Sequence, residues 1–185
     1  MKGRIEVLTG PMFAGKSDEL LRRVNRLKYT KKTYSLFKPS VDTRYSVTSV
    51  VTHTGESLHA IPVQGAAQII EQWSLNKTDV VAIDEAQFFK TSESPSLVDV
   101  CHALASSGVQ VIIAGLDMDA HGKSFGLMPD ILAAADEITK LKACCAVCGD
   151  DANMTLHRSR QVNLVELGGS ETYEARCRAH WEEAT

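Results

Sequence analysis

Eight residues near the N-terminus, Gly10-Pro11-Met12-Phe13-Ala14-Gly15-Lys16-Ser17, constrain this chain more than any other stretch. They match G-x-x-x-x-G-K-[ST], a loop whose backbone N–H groups turn inward around phosphates. The pattern carries that meaning only between a strand and a helix. Here Ile5–Thr9 reads as a strand, and Leu20, Leu21, Val24 and Leu27 mark one face of a helix from Lys16 to about Tyr29. The helix N-terminus adds positive potential. Lys16 supplies a mobile charge to the β- and γ-phosphates, and the Ser17 hydroxyl is a Mg²⁺ ligand. A chance glycine loop before a structural helix is the plain alternative, and the fixed positions in the right context weigh against it. The segment predicts binding of a nucleoside triphosphate and says nothing of the acceptor.

Strand and helix patterns alternate beyond it. Tyr34–Phe37 reads as a strand stopped by Pro39, and 47–63 as two β-rich runs around Thr54-Gly55-Glu56, a hairpin or lid-like excursion. Helical patterns cover 65–73, 96–104 and 130–135. Val80–Ile83 and Val109–Ala114 are continuous apolar runs, as expected of strands buried on both faces of a parallel sheet. Ile138–Leu141 reads as a last strand, whereas Gly115–Gly126 has no period and reads as a functional loop. This alternation implies an α/β domain over 1–142, with a mostly parallel sheet flanked by helices. Residues 143–185 change texture and read as a small, zinc-ribbon-like β appendage with strands at Met154–His157 and Val162–Glu166.

Asp84 ends the buried strand Val80–Ile83, where a carboxylate can hold Mg²⁺ beside the phosphate loop. Glu85 follows at once. Strand neighbours point to opposite sides, so Asp84 is expected to face the metal and Glu85 the acceptor hydroxyl as general base. A pair of helix-capping acids is the alternative.

The appendage holds Cys145-x-x-Cys148 and, after 28 intervening residues, Cys177-x-x-His180. Two such knuckles offer four N/S ligands, a closed set suited to structural zinc. Cys144 is a surplus thiol, and Cys101, on a helical pattern with Leu97 and Leu104, reads as core packing. Five cysteines, an odd count, argue against a disulfide framework. No apolar signal core follows Met1 and no run is long enough to span a membrane, so a cytosolic location without membrane attachment is expected. Net charge is -3, with no block of like charges. Between the knuckles, Arg158, Arg160 and Arg176 face five acids, Asp150, Asp151, Glu166, Glu171 and Glu174, the reverse of a nucleic-acid-binding balance.

Together these motifs resemble the type II, zinc-containing P-loop thymidine kinases over nearly the whole chain. The resemblance rests on Gly10–Ser17, Asp42-Thr43-Arg44-Tyr45, Ile83-Asp84-Glu85-Ala86-Gln87-Phe88-Phe89, Gly115-Leu116-Asp117-Met118-Asp119, Phe125-Gly126, and Gly168-Gly169 leading to Tyr173-Glu174-Ala175-Arg176-Cys177-Arg178. It implies ATP-dependent phosphorylation of the 5′-hydroxyl of thymidine, and of deoxyuridine, in pyrimidine deoxynucleotide salvage. Glu85 would be the base, Asp84 and Ser17 would serve Mg²⁺, and Arg44 would lie near the phosphates. Met12, Phe88, Leu116, Phe125, Thr155, Leu164 and Tyr173 would form the nucleoside pocket. A zinc-anchored loop from Thr155 to Tyr173, including Glu166, Leu167, Gly168 and Gly169, would close over the base. The resemblance also implies a homotetramer and feedback inhibition by thymidine triphosphate. Ala120 stands where many relatives carry an aromatic residue, and Ser124 where proline is frequent, which implies a more open wall in the base pocket.

Overall fold

The computed structural model describes residues 3–42, 49–51, 57–159 and 169–185. Strand β1 (Arg4–Thr9) leads through the phosphate loop into α1 (Lys16–Arg26), and a 3-10 turn over Leu27–Tyr29 completes the expected helix. Then come β2 (Tyr34–Pro39), the short strands β3 (Ser49–Val51), β4 (Ser57–His59) and β5 (Ile61–Val63), and α2 (Ala66–Leu75). They are followed by β6 (Val80–Ile83), α3 (Leu97–Ser106), β7 (Gln110–Gly115), α4 (Met128–Ala134) and β8 (Glu137–Lys140). Six strands form one sheet in the order β5-β2-β6-β7-β1-β8, with every pairing parallel. The excursion over 47–63 divides. Its strands β3 and β4 pair antiparallel apart from the sheet, while β5 joins the sheet edge beside β2.

The continuous apolar strands are buried on both faces because alternate side chains serve different layers. Val81, Ile83, Val111 and Ile113 pack with Ile69 of α2, Leu97, Val100 and Leu104 of α3, and Met128 and Ile131 of α4. Val80, Ala82, Ile112 and Ala114 pack with Leu20, Leu21 and Val24 of α1. Each fully buried Val, Leu or Ile contributes about 1.5–3 kcal/mol. Helix α3 starts with a capping box: Ser96 Oγ accepts the Asp99 N–H at 3.2 Å and Asp99 Oδ2 accepts the Ser96 N–H at 2.9 Å. Helix α4 begins at Met128, before the expected Asp130, because Pro129 is tolerated in a first helical turn.

Helix α1 is also clamped electrostatically. Glu6 of β1 is buried and accepts from Arg23 at 2.8 Å and from Gln110 at 2.7 Å. Arg23 in turn donates to Glu19 and Thr139, each at 2.9 Å. A buried carboxylate needs such partners, and these fix the helix that carries the phosphate loop.

The last segment contains β9 (Ala143–Cys144), β10 (Asp151–Ala152), β11 (Met154–His157), β12 (Tyr173–Arg176) and the short α5 (Arg178–Glu182). Strands β9 and β10 pair antiparallel, as do β11 and β12. The expected strand Val162–Glu166 lies outside the described residues, and β12 supplies the partner of β11. Ala143, Cys145, Ala152 and Ala175 make a small core, and Phe13 and Ala14 of the phosphate loop pack against it. Among the described residues, no helix is long and apolar enough to cross a membrane.

Candidate functional site

The phosphate loop follows β1, Asp84 follows β6, and the loop 115–126 follows β7, which lies between those two strands. All three therefore meet at the carboxyl end of the parallel sheet, where ligands of such sheets bind. Gly10 is required there: its φ is +138°, and a Cβ would lie 2.3 Å from the Leu141 carbonyl oxygen. Phe13 and Gly15 also have positive φ, 65° and 76°, so the loop curls before α1 begins. Lys16 Nζ donates to the Pro11 carbonyl at 2.7 Å.

Ser17 Oγ donates to Asp84 Oδ2 at 3.0 Å, and the Glu85 N–H donates to Asp84 Oδ1 at 3.0 Å. Asp84 is almost completely buried. Burial pushes its carboxyl up to about 7, and the neighbouring Glu85 charge pushes the same way. A divalent cation held by Ser17 and Asp84 would relieve both effects, so these residues fit the expected Mg²⁺ site.

Glu85 differs from the strand-based expectation. Strand β6 ends at Ile83, and Glu85 adopts a left-handed conformation, φ 53° and ψ 43°. A turn, not a continuing strand, therefore sets the backbone at Glu85. Sequence reasoning missed the residue that holds it. Gln87 is 2% exposed, donates through Nε2 to Glu85 Oε2, and accepts the Leu116 N–H on Oε1 at 3.0 Å. Gln87 falls within the Ile83–Phe89 stretch that carries the family resemblance, but nothing in the sequence marks it as the partner of Glu85.

Of the expected nucleoside-pocket residues, Phe88 and Phe125 meet edge to face with centroids 5.9 Å apart. Leu116 adjoins them through its bond to Gln87. Gly126 (φ 53°) lets this wall close, since a Cβ there would lie 2.6 Å from the Gln87 carbonyl oxygen. Phe89 packs in the main core, which separates its role from that of Phe88. The Met12 N–H donates to Thr155 Oγ1 at 3.0 Å, joining the phosphate loop to β11. Tyr173 meets His157 edge to face at 4.9 Å, and its N–H donates to the Gly169 carbonyl at 2.9 Å. Asp42 is buried and paired with Lys38 at 3.0 Å. Beside Ala120, Asp119 Oδ1 accepts the N–H groups of His121 and Lys123, each at 2.9 Å, so this turn is held without an aromatic ring at 120. Arg44, Leu164, Glu166, Leu167 and Gly168 lie outside the described residues.

Cys145, Cys148, Cys177 and His180 converge, with ligand atoms all within 4.8 Å of one another. Cys177 Sγ lies 3.1 Å and Cys145 Sγ 3.7 Å from His180 Nδ1, and the Cys148 and Cys177 sulfurs are 3.9 Å apart. A tetrahedral zinc with bonds of about 2.3 Å to sulfur has ligand–ligand edges near ~3.8 Å. The four residues could therefore hold zinc, with no position left open for substrate. The Ala146 N–H donates to the Ala175 carbonyl at 2.9 Å, stitching one knuckle to the strand before the other. Cys144 is exposed and outside the cluster.

A family model described as thymidine kinase matches residues 3–181. A thymidine kinase of Bacteroides thetaiotaomicron is 46% identical over 177 residues, covering 96% of this chain and 86% of its own length. One of Bacteroides fragilis is 45% identical over 183 residues, covering 99% and 89%. More remote likeness is to solved structures. A flagellar accessory protein of Methanocaldococcus jannaschii aligns with TM-score 0.53 at 13% identity, covering 82% of this chain and 76% of that one. The genome packaging NTPase of Sulfolobus turreted icosahedral virus 2, solved with ATP-gammaS, aligns with TM-score 0.50 at 19% identity, covering 89% and 79%. These two show a shared fold.

Proposed function

The chain belongs to the thymidine kinase family, and we propose that it transfers the γ-phosphate of ATP to the 5′-hydroxyl of thymidine. Deoxyuridine, which lacks only the ring methyl group, is the expected second acceptor. The observation that carries this reading is the 3.0 Å contact between Ser17 and Asp84 with Glu85 adjoining. It supports the reading because the expected Mg²⁺ ligands and the expected base then lie together at one end of the sheet.

In the reading, Lys16 and the backbone of Gly10–Ser17 hold the phosphates in line with the acceptor. Mg²⁺, when bound by Ser17 and Asp84, would neutralise charge on the phosphate oxygens. An alcohol is a poor nucleophile until its proton leaves. Glu85 takes that proton as the O5′–phosphorus bond forms and the bond to the departing ADP oxygen breaks. Phe88, Leu116 and Phe125 form one wall for the base, with Met12, Thr155 and Tyr173 completing it, and holding both reactants in register lowers the barrier. Residues 1–142 act as the nucleotide-binding unit and 143–185 as the zinc-held lid. The same family reading extends to a cytoplasmic homotetramer restrained by thymidine triphosphate, which sedimentation and inhibition assays test.

An ADP-release assay with Mg²⁺-ATP and thymidine, deoxyuridine, deoxycytidine, deoxyguanosine or no acceptor tests the reaction. Thymidine-dependent turnover over a low blank is expected. Acceptor-independent turnover, or none with any nucleoside, would overturn it. Glu85→Gln should keep ATP binding and lose about 100-fold or more in turnover; near-normal turnover would remove Glu85 from the mechanism.

A further inference from the structure

The residues expected to wall the nucleoside pocket include two, Met12 and Thr155, that bond to each other across the chain. The Thr155 hydroxyl oxygen accepts the Met12 N–H at 3.0 Å, and Thr155 is 5% exposed. Its own carbonyl accepts the indole N–H of Trp181 at 3.1 Å. Trp181 follows the cluster residue His180 in α5, which begins directly after Cys177. Its ring also packs against the loop after β7, where a Cβ on Gly122 would lie 2.9 Å from the indole. A short path of bonded groups thus runs from the Cys/His cluster through Trp181 and Thr155 to the phosphate loop.

The next residue of that loop strengthens the link. Phe13 has φ 65°, a conformation that side chains other than glycine adopt at a cost. Such a residue persists where its surroundings over-determine it. Here Phe13 and Ala14 pack against Ala143, Cys145, Ala152 and Ala175, with Cys177 beside them. Two of those neighbours, Cys145 and Cys177, belong to the cluster itself.

We propose that Thr155 and Trp181 are positioning residues that carry the rigidity of the zinc site to the phosphate loop. Affinity for nucleotide then depends on zinc occupancy before any nucleoside arrives. The inference rests on the reading that Gly10–Ser17 binds ATP. It adds to it, because the zinc segment becomes part of the ATP site as well as a cover for the nucleoside. The physical basis is preorganisation. A loop already curled for phosphate loses less conformational freedom on binding than one that must be ordered by the ligand.

The test uses the full zinc-loaded chain without nucleoside. Two quantities are read: the Kd for a fluorescent ATP analogue with Mg²⁺, and the exchange rate of the Met12 amide hydrogen. Thr155→Val removes the acceptor at nearly constant shape, and Trp181→Phe keeps a ring without the N–H. Each should weaken nucleotide binding roughly three- to tenfold, the size of one neutral hydrogen bond. Met12 exchange should quicken by a similar factor in Thr155→Val. Thr155→Ser should restore both quantities, and zinc content should not change in any variant. Stripping zinc with a chelator should weaken nucleotide binding at least as much. Affinity within twofold of wild type in both Thr155→Val and Trp181→Phe, with Met12 exchange unchanged, would overturn the proposal. A wild-type chain that binds no ATP would instead overturn the functional reading, and Met12 exchange would then decide the link alone.

Discussion

Gln87 holds Glu85 by donating its side-chain amide to the carboxylate, while the same amide's oxygen accepts the Leu116 N–H at 3.0 Å. One buried side chain thereby sets the expected base against the expected wall of the nucleoside pocket. Misplacing a reacting group by about 1 Å can cost on the order of 100-fold in rate. Gln87→Met, similar in size but without either hydrogen bond, should lower kcat by about tenfold to 100-fold. KM for ATP should stay within about threefold, because Gln87 lies outside Gly10–Ser17, the loop proposed to hold ATP. Steady-state kinetics with each substrate varied in turn checks this split.

Asp84 sets stability against function. Its carboxyl is pushed up to about 7 by burial and by the Glu85 charge, from 3.8. Between those values the folded chain binds more protons than the unfolded one, so Mg²⁺-free stability should fall as pH rises from about 4 to 7. Asp84→Asn removes the charge. At pH 8 without Mg²⁺ it should melt about 2 °C or more above wild type. The same variant should lose the stabilisation that Mg²⁺-ATP gives wild type. Thermal melts at two pH values, with and without Mg²⁺-ATP, check both halves.

The two adjacent cysteines should behave differently. Cys145 is part of the four-residue cluster, whereas Cys144 is exposed outside it. Cys145→Ser should abolish zinc retention and loosen 143–185, since closed zinc sites of this kind contribute folding energy directly. Cys144→Ser should retain full zinc content and melt within about 1 °C of wild type. Metal analysis after dialysis, paired with a melt, separates the two.

Cys101 should be chemically silent. Burial pushes its thiol up to about 12, and the residue is 1% exposed. The thiolate is the reactive form. In native protein at pH 8, a thiol reagent should therefore label Cys144 readily and leave Cys101 intact. Labelling of Cys101 should follow global unfolding, as mass spectrometry along a denaturant series would report.

Much of the candidate site's geometry was legible because its signals are local. The phosphate loop needs a strand before it and a helix after it, and Ile5–Thr9 and Leu20–Val24 carry both patterns within a few residues. The convergence of Cys145, Cys148, Cys177 and His180 is read from spacing, since each pair is separated by two residues, a single turn. Less legible was β12: Tyr173–Arg176 alternates apolar and polar, but over only four residues, and what makes it a strand is its pairing with β11. The backbone turn at Glu85 was hidden for a similar reason. Strand alternation predicts its side correctly only if the strand continues, and β6 stops at Ile83.

What the sequence by itself determined is therefore class and residue pattern: a parallel α/β sheet, a glycine-rich loop between strand and helix, a carboxylate after the buried strand, and three cysteines and a histidine that could hold a metal. These follow from hydrophobic period, glycine placement and ligand type, all of which act over short stretches of chain. The tertiary structure alone decided how the pieces serve one another. Gln87 meets Leu116, Thr155 meets Met12, and Trp181 reaches back to Thr155 across 26 residues. Those bonds join strands and loops that the chain visits far apart. Their partners are chosen by which groups are left buried and unsatisfied once the layers have packed, and no local pattern records that choice.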